Sequence, residues 1–253
     1  LRIYVNYYSY FSHSLPSPMT HDSYILFKSG INKINRKFLK RIIQIYFDIR
    51  RIWHMSKDFL KAVEDRRSIY EISKESPISN ERIKEIIEHI VKHAPSAMNS
   101  QSARIVVLFG KHHDRLWDIT MEALRKIVPA DQFGSTENKI NSFKNGYGTV
   151  LFYEDNSVIK SLQEQYALYK DNFPIWSQQS SGMHQFIIWT ALEAEGLGAS
   201  LQHYNELIES DVRNEWNIPD NWKLIAQMPF GKPTGAPGAK EFKPLNERIR
   251  YFE

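Results

Sequence analysis

The clearest helical pattern of apolar residues lies between Ser79 and Pro95. Ser79 is a residue type that caps helices, and isoleucine or valine then recurs at helical spacing over residues 83–91. This spacing predicts an amphipathic helix that ends in a loop at Pro95. The next apolar segment, residues 104–109, is rich in β-branched side chains and ends before Gly110, which predicts a buried strand.

The rest of the body alternates between helical and strand patterns without tandem repeats. Helices are predicted around residues 116–127, 156–168, 177–195 and 206–216, and strands at residues 149–153 and 222–227. Gly196 is expected to end the longest helix, and the Pro- and Gly-rich residues 229–238 are expected to form a loop. The alternation predicts an α/β (α+β) domain with a central sheet and helices on both faces.

Charge is unevenly distributed along the 253 residues, whose net charge is +4. Residues 1–54 hold nine Lys and Arg against two Asp, a net charge of +7, so the remaining chain is mildly acidic at about −3. Binding to a nucleic-acid backbone needs a clustered basic face, and no nucleic-acid partner is predicted. No uninterrupted apolar run approaches the roughly 18 residues of a membrane helix, so no membrane partner is predicted.

The sequence contains no cysteine, which removes disulfides, thiolate zinc sites and cysteine nucleophiles from consideration. This agrees with a reducing compartment, and we predict a cytoplasmic location, extended to the nucleus if the source is a eukaryote.

His89 and His93 are spaced so that they could share a metal on a helix, but such pairs are more often solvated. No metal site is predicted, and no hydrolase elbow or phosphate-binding glycine loop is present.

Residues 1–54 differ from the body in composition, being rich in Tyr, Phe, Ile, Asn and Lys, which share AT-rich codons. We interpret them as a leader outside the folded domain, upstream sequence read in frame, with Met55 as the working initiator. The domain is then predicted to cover residues 55–253. The alternative is a targeting segment, because organelle transit peptides are also basic and poor in acidic residues.

The first candidate binding segment is Arg66-Arg67-Ser68, at the end of a first helix. Two guanidiniums and a hydroxyl offer directed donors that suit a phosphate and a carbonyl-rich heterocycle edge. The alternative is a solvated helix end in which the cations complement the helix dipole. Taken alone, the segment does not decide between the two.

Two further segments offer complementary groups. Asn99 and Gln101 lie in a polar loop, and each amide supplies the donor and the acceptor that the N3–H and carbonyl edge of a flavin requires. Gly198, Ala199 and Ser200 are small enough to let backbone N–H groups approach a planar ring. The alternatives are an ordinary helix-to-strand turn and a simple helix C-cap.

The last segment is basic, and the lysines that follow the predicted loop at residues 229–238 could close on a phosphate, although lone lysines are usually solvated. Aromatic residues are also candidates for an acceptor pocket, although most aromatics at this frequency pack in a core or a dimer interface. They are Phe133, Phe143, Tyr147, Phe173, Trp176 and Trp189.

Together, and in this order, these segments resemble the FMN-dependent nitroreductase family over essentially all of residues 56–253. The stretches RRSIY, PSAMNSQSARIVVLFG, YGTVLFYED, GLGASLQHYN and MPFGKPTG are similar to the small fungal and bacterial subgroup that includes the yeast fatty-acid-repression-mutant proteins. The resemblance implies a nitroreductase-like central mixed sheet flanked by helices. It also implies a homodimer with two FMN molecules at the subunit interface.

The activity that the resemblance implies is reduction of nitroaromatic compounds or quinones with NADH or NADPH, by hydride transfer to flavin N5 and then to the acceptor. Arg66, Arg67 and Ser68 would contact the ribityl phosphate and the pyrimidine side, and Asn99 and Gln101 the isoalloxazine. No side chain need act as a nucleophile or an obligatory acid, so no catalytic residue is assigned.

Two further assignments follow from the resemblance. Gly198, Ala199 and Ser200 would offer main-chain contacts near N5, and Lys243 best matches a late basic ligand of the phosphate. Met98 stands where many relatives have an aromatic residue, so the local stacking surface departs from the family pattern.

Two other functions remain open at the level of sequence. One is a flavin-binding regulatory protein in lipid signalling or the oxidative-stress response, with incidental turnover. The sequence does not separate it from an enzyme, because both would need the same FMN-binding residues. The other is an interaction domain without flavin, which a colourless protein that cannot be reconstituted with FMN would support.

Overall fold

The computed structural model describes residues 57–253. The leader at residues 1–54 and the start at Met55 lie outside the described residues and stay predictions. The helices are α1 (Phe59–Asp65), α2 (Asn80–His93), α3 (Lys111–Arg125), α4 (Phe133–Lys144), α5 (Asn156–Gln165), α6 (Phe173–Ala194) and α7 (Asn205–Trp216). Short 3-10 turns lie at Ala97–Asn99, Ala130–Gln132, Ala167–Tyr169 and Leu245–Glu247.

The strands are β1 (Ile72–Ser73), β2 (Ala103–Phe109), β3 (Gly148–Asp155), β4 (Gly198–Ala199) and β5 (Trp222–Pro233). They form one sheet in the order β1-β5-β3-β2, and β4 also pairs with β5. The strand pairs are antiparallel, and a single bridge between Ser68 and Ala199 is parallel. The predicted α/β architecture is confirmed.

Helix α2 forms where the spacing of apolar residues predicts it. The Ser79 hydroxyl accepts a hydrogen bond from the backbone N–H of Arg82 at 3.2 Å, which satisfies one of the free donors at the helix start. Ile83, Ile86 and Ile90 share the buried face. The helix ends at His93, directly before the residues that lead into Pro95.

Strand β3 separates two hydrophobic clusters, one on each face of the sheet. Leu151 and Tyr153 face one cluster with Trp117 of α3, whereas Val150 and Phe152 face the other. The second cluster includes the α2 isoleucines and residues of α6. Because both faces are covered, every residue of β3 is buried.

Three predictions of local structure were wrong or incomplete. Strand β2 forms where it was predicted, but it lies at the edge of the sheet and only its Leu108 is buried. The sequence pattern did not predict α4, whose polar residues leave only Phe133, Ile140 and Phe143 buried. Residues 229–233 belong to β5 and not to a loop. Pro229 cannot donate a backbone hydrogen bond, but its carbonyl accepts one from the Ser200 N–H at 3.3 Å, so the strand continues through it.

In the part of the chain that the structure describes, no helix is both long enough and apolar enough to cross a membrane.

Candidate functional site

The first and third binding segments lie side by side. Helix α1 ends at Asp65, and Arg66 adopts an extended backbone that leads the chain to the sheet. Ser68 bridges Ala199, and the Ile69 N–H donates to the Ala199 carbonyl at 3.0 Å. The structure therefore brings together two segments that are more than 130 residues apart in sequence.

Arg66 is half-buried and lies against α6. Its guanidinium carbon is 4.4 Å from the centre of the Trp189 ring, which is the geometry of a cation–π contact. The Nε atom is buried and has no hydrogen-bond partner among residues 57–253. Burial, followed by repulsion from Arg67, lowers the pKa of Arg66. Trp189 was one of six aromatic candidates, and its contact with Arg66 gives it a place beside the proposed phosphate site.

Arg67, next to Arg66, connects this part of the site to the C-terminal segment. Its guanidinium donates to the Gly238 carbonyl at 2.8 Å. Neither Arg66 nor Arg67 pairs with a carboxylate within residues 57–253, whereas most other arginines of that range do. Two adjacent guanidiniums without an acidic partner make a site suited to an anion.

The lysines after Gly238 are exposed. Lys243 forms no ion pair within the described range, and the Lys240 ammonium lies 5.1 Å from the centre of the Phe242 ring. Lys232 pairs with Glu75 at 2.7 Å. Since Arg67 holds Gly238, the segment that carries Lys243 starts beside Arg66 and Arg67, which we name the arginine corner. Its contact with a phosphate stays a prediction.

The loop with Asn99 and Gln101 has an unusual backbone. Met98, Asn99 and Gln101 have φ values of 53°, 53° and 49°, in the left-handed region that asparagine tolerates but that methionine and glutamine rarely adopt. The Gln101 N–H donates to the Ser96 hydroxyl at 3.0 Å, and Arg104 donates to the Gln101 carbonyl at 2.7 Å. Strained loops of this kind concentrate at binding sites.

The side chains of Asn99 and Gln101 are exposed and make no hydrogen bond to another described residue. Their amides are therefore available to a ligand. Met98 is also 53% exposed, so an apolar side chain lies beside them. We name residues 96–101 the amide loop.

The amide loop and the arginine corner lie at opposite ends of α6. A cavity of about 10 Å³ between the loop and α6 is lined by Trp176 and Ser177, whereas Arg66 stacks on Trp189. Thirteen residues separate Trp176 from Trp189, which at the helical rise is a distance of about 20 Å. Within one chain the structure thus joins the first, third and last segments but not the second.

Gly198, Ala199 and Ser200 are buried in the sheet. Gly198 pairs with Gly231, and a side chain at Gly198 would place its Cβ 3.0 Å from Pro233 and 3.1 Å from Ile69. Close strand packing thus explains the small residue here. The contact of this segment with flavin N5 stays a prediction.

Most of the other aromatic candidates belong to the core. Phe133, Phe143 and Phe173 are at most 5% exposed. The Tyr147 hydroxyl donates to the Asn80 side-chain oxygen at 2.7 Å. Within residues 57–253 there is also no group of three or more His, Asp or Glu that could hold a metal.

Comparisons with known proteins bear on the family and the fold of the chain. The model of the Nitroreductase family matches residues 63–232. The protein HBN1 of Saccharomyces cerevisiae is 35% identical over 186 residues, which are 73% of this chain and 92% of HBN1. Nitroreductase CinD from Lactococcus lactis, in complex with 4-nitrophenol, has 42% identity and a TM-score of 0.71, over 78% of this chain and 100% of CinD.

CinD has also been solved with chloramphenicol. A structure from Desulfovibrio desulfuricans in complex with FMN shares the fold, with 19% identity and a TM-score of 0.57 over 78% of this chain and 98% of that one. A matched family model over most of the domain and a close relative across nearly its whole length establish the assignment. The chain belongs to the nitroreductase family.

Proposed function

We propose that the protein is an FMN-dependent oxidoreductase that reduces nitroaromatic compounds or quinones with NADH or NADPH. The observation that carries this proposal is the pair Arg66 and Arg67, two adjacent guanidiniums without a carboxylate partner within residues 57–253. The complexes of CinD with 4-nitrophenol and chloramphenicol support the acceptor class. A cytoplasmic location and a role in stress responses remain predictions.

The residues present fit FMN. Arg66, Arg67 and the exposed Ser68 hydroxyl offer donors for the phosphate, and the buried Nε of Arg66 has no partner within the described part of the chain. Asn99 and Gln101 offer free amides for the donor and acceptor edge of the ring. Bound FMN would supply hydride acceptance and donation at N5.

The protein side of the reaction is binding and orientation. The cation–π contact with Trp189 fixes one phosphate donor, and the backbone hydrogen bonds of the amide loop fix the other end of the site. None of the described residues is placed as a nucleophile, and no catalytic side chain is assigned. The rate would then depend on how the flavin and the acceptor are held.

We also propose a homodimer, because one chain leaves apolar surface uncovered. On α6, Ile175, Met183 and Phe186 are 56%, 44% and 38% exposed, and their spacing puts them on one stripe of the helix. In the C-terminal segment, Phe242 and Phe252 are 75% and 91% exposed. A second copy is the partner that would cover both surfaces in a symmetric assembly.

A two-fold dimer would also complete the site. The amide loop of one subunit, at one end of α6, would then face the arginine corner of its partner, so that each flavin is held by both subunits. This arrangement accounts for the separation of about 20 Å within one chain.

Subunit complementation tests the shared site. Arg67→Ala and the pair Asn99→Ala with Gln101→Ala are each expected to bind FMN more weakly as homodimers and to lose most of it during purification. A heterodimer of the two variants, isolated with two affinity tags, is expected to hold one FMN per dimer, because one of its two sites keeps every wild-type residue. Flavin content is measured by absorbance after release.

A heterodimer without FMN would contradict the shared site, because a site built within one chain would be damaged in both subunits. The matched control is a heterodimer of wild-type and Arg67→Ala subunits, which is expected to hold one FMN in either arrangement.

Removing residues 239–253 is expected to convert the dimer to a monomer or to weaken it strongly. The segment is exposed along its length and carries Phe242, Leu245 and Tyr251, so its loss should not unfold the body. Sedimentation measures the mass, and circular dichroism checks the fold. A truncated protein that stays fully dimeric would place the interface elsewhere.

Turnover separates the enzyme from a flavin-binding regulator. Oxidation of NADH or NADPH with 4-nitroquinoline-N-oxide or a quinone is expected to proceed in steady state with the yellow, FMN-loaded protein. Negligible turnover by protein that retains FMN would favour the regulatory function.

A further inference from the structure

A buried carboxyl group lies next to the amide loop. Glu154 of β3 is 0% exposed. The Ser102 hydroxyl donates to its Oε2 at 2.5 Å, and its Oε1 is buried with no hydrogen-bond partner among the residues that the structure describes. A carboxylate with an unsatisfied buried oxygen is costly, so packing alone gives no reason for an acid here.

Ser102 links this carboxyl to the loop, because it directly follows Gln101 and directly precedes β2. The Ser102 carbonyl accepts from the Asp155 N–H at 2.9 Å, so the backbone here is held to the strand that carries Glu154. Together with the Arg104 bond to the Gln101 carbonyl, the Ser102–Glu154 bond anchors one side of a loop whose backbone is strained.

We propose that protonated Glu154 is a positioning residue that holds the amide loop, through Ser102, in the conformation that contacts the flavin, and that loss of its proton releases the loop. This inference rests on the proposed function, because it takes Asn99 and Gln101 as flavin contacts. Glu154 itself touches neither flavin nor acceptor in this arrangement.

The pKa of Glu154 lies near neutral pH, so the carboxyl can gain or lose its proton under ordinary conditions. Burial raises the pKa of Glu154 to about 7, while the Ser102 hydrogen bond and the charge of Arg104 lower it and the charge of Asp155 raises it. Below that pH the acid is neutral, which removes the cost of a buried charge. Above it, burial disfavours the charge more strongly than the Ser102 hydrogen bond favours it, so the ionised side chain moves towards water and pulls on Ser102.

Other charges around Glu154 are few. Lys223 lies opposite it on β5 but is exposed. Helix α6 packs on this face of the sheet, and His184 is the one titratable residue of its buried face. The His184 Nδ1 lies 2.9 Å from the Ser180 carbonyl. The titration of Glu154 is therefore set by its burial, by Ser102 and by its neighbours Arg104 and Asp155.

Glu154→Gln tests the inference, because glutamine keeps the shape and the neutrality of the protonated acid. For the wild-type protein, FMN binding is expected to weaken by about tenfold relative to Glu154→Gln between about pH 6 and pH 8. At the higher pH the variant is thus expected to bind FMN more tightly than the wild type. A residue with only a structural role would not give a tighter variant.

The measurement is quenching of FMN fluorescence by the full-length protein, titrated at each pH. The phosphate of FMN itself titrates near pH 6, but it does so with every variant, so the difference from Glu154→Gln isolates the carboxyl. Glu164→Gln, an exposed carboxyl on α5, is the matched control and is expected to follow the wild type. Ser102→Ala is expected to weaken binding at all pH values and to lose the pH dependence.

Two outcomes separate the positioning role of Glu154 from the flavin site itself. If Glu154→Gln follows the wild-type profile at every pH while Asn99→Ala weakens FMN binding, the positioning role is wrong and the site stands. If Asn99→Ala and Gln101→Ala leave FMN binding unchanged, the amide loop does not contact the flavin, and both the site assignment and this inference are overturned.

Discussion

Arg67→Ala is expected to weaken FMN binding by about 10- to 100-fold, because a charge-assisted contact to a phosphate contributes about 1.5–3 kcal/mol. The combined variant of Arg66 and Arg67 is expected to lose more than either single one, since the two guanidiniums have no carboxylate partner within residues 57–253 that could replace the phosphate. FMN affinity is measured by fluorescence quenching or calorimetry at fixed salt.

Arg66→Lys separates charge from geometry. Lysine keeps the positive charge but lacks the planar group that stacks at 4.4 Å on Trp189, so an intermediate loss of affinity is expected. Arg115→Ala, which removes an exposed guanidinium of α3, is the matched control and should bind FMN as the wild type does. If the single and double variants at Arg66 and Arg67 keep full affinity, the phosphate site is wrongly assigned.

The fold could be predicted where one periodicity dominates. Helix α2 follows the pattern closely because it buries a face that needs apolar residues at fixed spacing. The position of strand β2 could be predicted from its β-branched residues, but its burial could not, because its place at the edge of the sheet depends on the order of the strands. Helix α4 was missed because it buries only Phe133, Ile140 and Phe143 among polar residues. The end of β5 was missed because Pro229, Gly231 and Pro233 are typical of turns, although β1 and β4 pair with this segment.

The site could be predicted only as a set of residue types. Sequence showed two guanidiniums and two amides, but their positions depend on contacts between distant segments. The bond from Arg67 to the Gly238 carbonyl spans 171 residues, and the stack of Arg66 on Trp189 depends on the docking of α1 against α6. Glu154 gave no signal, because its burial follows from the covering of both faces of β3.

The acid stability of the domain depends on two buried groups that act in opposite directions. His113 is 1% exposed, and burial lowers its pKa to about 4. Its Nδ1 lies 2.8 Å from the Thr149 hydroxyl and its Nε2 3.2 Å from the Lys144 carbonyl. These partners fit a neutral ring that accepts from Thr149 and donates to Lys144.

The direction of each effect follows from proton linkage. Between about pH 6.5 and pH 4 the unfolded chain binds a proton that folded His113 does not, so His113 lowers stability by up to about 3 kcal/mol as the pH falls. Between about pH 7 and pH 4.5 folded Glu154 holds a proton that the unfolded chain has lost, so Glu154 raises stability by a similar amount as the pH falls. Between about pH 6.5 and pH 4.5, where the two ranges overlap, the opposite effects of His113 and Glu154 on the free energy of unfolding offset each other.

For wild-type protein, the free energy of unfolding is therefore expected to change little between about pH 6.5 and pH 4.5. Each variant removes one of the two groups and should show the pH dependence that the remaining group causes. Glu154→Gln is expected to lose about 2–3 kcal/mol as the pH falls through this window, and His113→Gln to gain a similar amount. Urea unfolding at fixed protein concentration, without FMN, gives the free energy at each pH.

His112→Gln is the matched control, because this neighbouring histidine lies at the surface beside Trp216 and should leave the profile unchanged. Parallel profiles for Glu154→Gln and the wild type would show that Glu154 is ionised in the folded protein throughout the window, and so would contradict its elevated pKa. If the profile of Glu154→Gln were flat and that of His113→Gln steep, the pKa of His113 would not be lowered. The variants thus separate two buried groups that the wild-type profile conceals.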